Sequence, residues 1–249
     1  MKRILVLLAV LLAGTALPAV PRAQDAPAFS PQQREQVKDV IREFLLEHPE
    51  VVLDAINMLQ KREQQATQDQ QRFTIASSRA QLYAATEDAS LGNPKARTVI
   101  VEFFDYRCPY CKSIAANLRK LVEEDKDLRI VLKEFPILGP DSIYAAKASL
   151  AASDQPRFAD FHVALISAPG PLNEAAVGKI AAAFGIDFAK LKTRMEAPEI
   201  EAVISRNIAL ARSLGISGTP AFVIGTTVYS GAMENDLLKR LVRQARAAG

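Results

Sequence analysis

The sequence is short of metal-binding and cross-linking residues, with two cysteines and two histidines among 249 residues. A framework of several disulfides is therefore excluded. A four-ligand zinc site is hard to assemble when His48 and His162 both lie far from the cysteine pair. Long apolar runs are missing too. Ile4 to Ala13 spans ten residues, against about 20 needed to cross a bilayer, and no other segment reaches that length. Net charge is small, +3 from 31 Lys+Arg and 28 Asp+Glu. Removing the first 23 residues takes Lys2, Arg3 and Arg22 with them and leaves 28 bases against 28 acids. A neutral body argues against an electrostatic nucleic-acid binder. No phosphate-binding loop, metal-ligand cluster or hydrolase triad is evident, and no cofactor is expected. What remains is ordinary for a globular protein: 49% hydrophobic and 24% charged residues. This composition excludes a disordered chain, a collagen-like repeat and a multi-span membrane protein.

The start, MKRILVLLAVLLAGTALPAVPRAQDA, has the layout of a secretory leader. Two cations precede a short apolar core, and small residues with prolines follow. Residues 1–23 are thus expected to be removed, with the cleavage point open among Ala16, Ala19 and Ala23. The mature protein is expected in the periplasm.

In such an oxidising compartment a Cys108–Cys111 pair has two readings. As a structural staple, a bridge between positions i and i+3 closes a tiny loop and removes little unfolded-chain entropy. As a redox dithiol it fits its surroundings. Thr98–Phe104 (TVIVEFF) is an apolar run suited to a strand buried on both faces. After the turn Asp105-Tyr106-Arg107, Cys108-Pro109-Tyr110-Cys111 opens a helical pattern through Ile114, Leu118, Leu121 and Val122. Pro109 suits a first helical turn. Cys108 then stands at a helix N-terminus, where free amides and the dipole stabilise negative charge on its sulfur. The thiolate is the attacking species in exchange, and Cys111, one turn on, is placed to resolve the mixed disulfide.

The stretch VEFFDYRCPYCK resembles the active site of thioredoxin-fold oxidoreductases of the DsbA-like family. Leu128–Phe135 reads as a second strand completing a βαβ unit. Further on, Thr219-Pro220 precedes the short strands AFVIG and TTVYSG and a closing helix, Glu234–Ala247. The resemblance implies that Pro220 is a cis-proline facing the dithiol, with the Thr219 backbone free to pair with an extended polypeptide. A strand-start proline is the plain alternative. It also implies that Glu102, six residues before Cys108, is a buried carboxylate handling protons for Cys111 and tuning its redox poise, with a raised pKa. Lys133, in the second strand, is a candidate partner for Glu102.

Between the second strand and Pro220, residues 141–214 carry helical patterns, with helix starts at Asp187 and Pro198. An inserted helical subdomain is what DsbA-like proteins have and plain thioredoxins lack. His162 within it reads as a helix-surface or core residue. The expected fold is therefore α/β: a thioredoxin fold over residues 93–249 with an inserted helical subdomain, preceded by a helical segment over 24–92. That segment starts a helix at Ser30-Pro31, breaks at Glu47-His48-Pro49-Glu50 and resumes. Its apolar stripe (Val37, Val40, Ile41, Phe44, Leu45, then Val51, Val52, Ala55, Ile56, Leu59) needs something to dock on. Either the catalytic domain or a second copy would serve. QVKDVIREFLLEHPEVVLDAINML resembles the N-terminal oligomerisation segment of suppressor-of-copper-sensitivity, ScsC-type proteins, which implies a homo-oligomer.

The expected activity is thiol:disulfide exchange with unfolded or misoxidised exported proteins. A membrane thiol reductase or oxidase is expected to reset the dithiol. Pro-Tyr between the cysteines, where strongly oxidising DsbA proteins carry Pro-His, and Thr before the proline favour isomerase or reductase activity. The alternatives are a monomeric DsbA-type oxidase, a Cu(I)-sequestering protein using two soft thiolates, and a holdase-like chaperone.

Overall fold

The computed structural model describes residues 29–84 and 86–248, so the leader lies outside the described residues. The chain divides into two units, Met1–Leu59 and Gln60–Gly249. In the first, helix α1 (Pro31–Glu47) begins with a reciprocal cap. The Gln33 amide donates to Ser30 Oγ and the Ser30 amide donates to Gln33 Oε1, at 3.2 and 2.8 Å. It ends at His48, whose N–H donates to the Phe44 carbonyl. Pro49 lacks the N–H that continuation would require. Helix α2 (Glu50–Ser77) starts immediately after. Within this unit Val37, Val40, Ile41, Phe44, Val51, Val52, Ile56 and Leu59 are all exposed. Two helices of this length have no interior of their own to put them in.

The second unit is built on a five-stranded sheet of order β1-β3-β2-β4-β5. Its strands are β1 (Ser90–Gly92), β2 (Thr98–Phe104), β3 (Leu128–Glu134), β4 (Ala221–Ile224) and β5 (Thr227–Ser230). β2 and β3 are parallel, joined through α3 (Pro109–Glu124); the other pairings are antiparallel. The central position of β2 explains its continuous apolar run, since both its faces are covered. One face carries Ile100 and Phe104 with Ile130 and Leu132, and packs on α3 through Cys111, Ile114, Ala115 and Leu118. The opposite face carries Val101, Phe103 and Val131, and packs on Leu210, Leu214 and Ile216. The inserted helices are α4 (Pro140–Ala151), α5 (Phe158–Ser167), α6 (Glu174–Ala183), α7 (Phe188–Met195) and α8 (Pro198–Ser213). Asp187 caps α7 by accepting the Ala189 and Lys190 amides, and Pro198 opens α8. Helix α9 (Asn235–Ala248) closes the fold.

One boundary differs from the sequence expectation. The helical segment expected to run to residue 92 contributes its last third to the sheet domain. Ile75 and Leu82 are fully buried in the core opposite α3. Gln71 Nε2 donates to the Leu214 carbonyl at 3.1 Å and Tyr83 Oη to the Gly225 carbonyl at 3.2 Å. β1 pairs with β3 from Ser90 to Gly92. The physical reason is sparseness. One buried apolar residue in a Gln- and charge-rich helix, Ile75, another in the π-helical turn Ala80–Ala84, Leu82, and then a three-residue strand leave almost no periodic trace.

Candidate active site

The dithiol lies where β2 gives way to α3. Cys108 is the N-cap of α3 and Pro109 its first residue, so the free amides of the first turn open toward the cysteine. Both cysteines are free thiols, Cys108 4% and Cys111 0% exposed. The Cys108 amide donates to the Asp105 carbonyl at 3.0 Å, and Cys108 Sγ donates to the Thr219 carbonyl at 3.2 Å. The Thr219–Pro220 bond is cis. A segment 111 residues away thus meets the Cys108 sulfur. Pro109 and Tyr110 face outward, Tyr110 at 66% exposure.

Beneath the dithiol, Glu102 lies on the α3 face of the central strand, 2% exposed, with Oε1 lacking any hydrogen-bond partner among the described residues. Burial pushes its pKa up to about 8. Cys111 is pushed far up as well, by burial first and by the neighbouring Glu102 charge second. The two groups therefore sense each other inside the protein.

Lys133 is not placed to partner Glu102. In the parallel β2–β3 register Glu102 faces Leu132 and Phe103 faces Lys133, so Lys133 points to the opposite face of the sheet. There its ammonium pairs with buried Asp88 and donates to the Gln81 carbonyl, while Asn207 Nδ2 donates to Asp88 at 3.1 Å. Burial pulls the Lys133 pKa down and Asp88 opposes that pull. The charged residue that shares the Glu102 face is Glu134, one position on.

Glu134 is 1% exposed, and among the described residues neither carboxylate oxygen has a hydrogen bond of good geometry; burial raises its pKa strongly, Ser149 beside it opposes the rise, and Asp105, Asp88 and Glu102 add to it. Beside it Tyr106 Oη is 2.7 Å from both Ser149 Oγ and His162 Nδ1. Burial holds His162 down to about 3, neutral at any working pH, so it is a core residue. Sequence reasoning missed Glu134, Tyr106 and Ser149. A second carboxylate in an otherwise apolar strand was the available signal for Glu134. Ser149 sits in an alanine-rich helix, where nothing distinguishes it.

A DSBA-like thioredoxin domain model matches residues 99–243, and a "Copper resistance protein ScsC N-terminal domain" model matches residues 33–66. A thioredoxin-like oxidoreductase from Silicibacter pomeroyi is 42% identical, with a TM-score of 0.66 over 69% of this chain and 99% of its own. A linker-deletion variant of ScsC from Proteus mirabilis is 28% identical, with a TM-score of 0.69 over 91% of this chain and 100% of its own. Among curated relatives, the thiol:disulfide interchange protein DsbA of Bordetella parapertussis is 27% identical over 67% of this chain and 86% of its own length. The Na(+)/H(+) antiporter NhaA 1 of Salinispora arenicola is 27% identical over 63% of this chain, and the chain spans 24% of that protein's length. A sheet carrying C-x-x-C at a helix N-terminus, a cis-proline loop against its first sulfur and a matching domain model lead to one assignment: the chain belongs to the DsbA-like thioredoxin family, with a ScsC-type N-terminal segment.

Proposed function

We propose that this protein is an exported thiol:disulfide oxidoreductase acting on unfolded or misoxidised proteins, with isomerase or reductase activity ahead of oxidation. The observation that carries this reading is Cys108 at the N-cap of α3 with its sulfur against the Thr219 carbonyl. The Cys108 thiolate attacks one sulfur of a client disulfide, and the other client sulfur leaves as a thiolate. Cys111 gives its proton to the ionised fraction of Glu102 and attacks the Cys108 sulfur. The second client thiolate departs, and two electrons have passed from the dithiol to the client. If a client cysteine attacks the mixed disulfide first, Cys108 is regenerated with no net electron transfer, which is isomerisation.

Pro109-Tyr110 between the cysteines and Thr219 before the proline support a moderate poise, kept reduced by a membrane thiol reductase. The exposed stripe of α1 and α2, in the segment matched by the ScsC N-terminal model, supports a homo-oligomer bringing several dithiols to one client. Replacing Cys111 with Ser tests the scheme: mixed disulfides through Cys108 should accumulate, and normal turnover by that variant would refute the assignment. The equilibrium potential against glutathione separates the isomerase from a monomeric DsbA-type oxidase, for which it would lie near the oxidising extreme of the family.

A further inference from the structure

The carboxylate of Asp105 is buried at 1% exposure, three residues before Cys108, and takes no part in the exchange steps above. Both its oxygens are fully used. Oδ1 accepts the Arg107 amide at 2.7 Å and Ser142 Oγ at 2.7 Å. Oδ2 accepts the backbone amides of Ile137 and Leu138 at 2.8 and 3.0 Å. One side chain thereby ties three segments together: through backbone amides, the turn leading into the dithiol and the link after β3, and through the Ser142 hydroxyl, the first turn of α4. A second tie runs alongside, from Arg107 to Asp141 at 3.6 Å. The link it holds presents bare apolar side chains, Ile137 and Leu138 at 41% and 44% exposure, with Ile143 of α4 at 40%. The same stretch of backbone donates to the carboxylate that shapes the Cys108 turn, so the apolar ledge and the reactive sulfur are fixed in one frame.

We propose that Asp105 is a positioning residue that holds the Ile137–Leu138 ledge in register with Cys108, so that exchange with apolar polypeptide clients depends on it more than exchange with small disulfides. This rests on the exchange reading and adds a determinant of client class to it. A small disulfide needs only the sulfur and its helix N-terminus. A polypeptide crossing Cys108 along Thr219 gains affinity only if the flanking apolar residues meet a surface at a fixed distance, and misplacement by about 1 Å is costly at a reacting centre. Asparagine cannot substitute quietly. Whichever way its amide turns, an NH₂ group faces at least one backbone N–H that now has an oxygen to donate to.

The experiment compares two second-order rates for the full-length protein: reduction of insulin disulfides, and reaction of reduced Cys108 with glutathione disulfide. For Asp105→Asn the insulin rate should fall about tenfold, through KM rather than kcat, and the glutathione rate about twofold or less. Ser142→Ala removes one donor of the four and should lower the insulin-to-glutathione ratio in the same direction by less. Ile137→Ser with Leu138→Ser should reproduce the selective loss, and adding Asp105→Asn to that pair should cost little more. Equal loss of both rates in Asp105→Asn and Ser142→Ala, or an unaltered insulin rate in the ledge variant, would overturn the proposal. Wild-type protein reacting with neither disulfide would instead overturn the exchange reading itself.

Discussion

Replacing Glu102 with Gln isolates the buried carboxylate beneath the dithiol. The side chain keeps its size and loses its proton equilibrium. In the unfolded chain Glu102 ionises at about 4.5, in the folded one at about 8. Between these values unfolding releases a proton that the folded protein holds, so stability falls as pH rises, by about 1.4 kcal/mol per pH unit. The contribution is fully present below pH 4.5 and lost as pH climbs through about 8, a span worth about 5 kcal/mol. That is a large part of the whole stability of a typical domain. Urea unfolding of wild type and Glu102→Gln at pH 5, 6.5 and 8 measures it. Glu134 is also raised and His162 lowered; His162 cancels in the difference, and Glu134 cancels except for the smallest part of its rise, which comes from Glu102 itself. Wild-type stability minus variant stability should drop by about 4 kcal/mol from pH 5 to pH 8. A difference flat to within about 1 kcal/mol would show that Glu102 is solvated or permanently charged, and its assignment as proton acceptor for Cys111 would go with it.

A chain beginning at Gln60 should fold and keep its exchange chemistry while its mass by light scattering falls to that of a monomer; one beginning at residue 93 lacks Ile75, Leu82 and β1 and should unfold at far lower urea. Within the full chain, Leu82→Ala should cost about 2–5 kcal/mol, read in the same urea titration, and a loss below 1 kcal/mol would place that segment outside the core. Lys133→Ala strands buried Asp88 and should destabilise by about 3–5 kcal/mol. Its Glu102 pH profile should stay in place, because the sheet separates the two; a displaced profile would mean that Lys133 reaches Glu102 after all.

Much of this protein is written locally. C-x-x-C after an apolar strand, with Pro109 opening a helix, already fixes which sulfur meets a helix N-terminus, because caps and proline geometry act over a few residues. Ser30, Asp187 and Pro198 mark helix starts for the same reason. What the sequence leaves open depends on which strand lies beside which and in what register. Lys133 and Glu134 are adjacent and both ionisable, one a cation and the other an anion, yet only the pairing of Glu102 with Leu132 decides which of them shares the dithiol face. Side chains alternate along a strand, so a one-residue shift exchanges the two. Asp105 likewise reads as a turn residue; its three other partners, at 137, 138 and 142, come to it only when β3 lies alongside β2. Periodicity and capping are local and survive in the sequence, whereas register and long-range hydrogen bonds exist only once the sheet has formed.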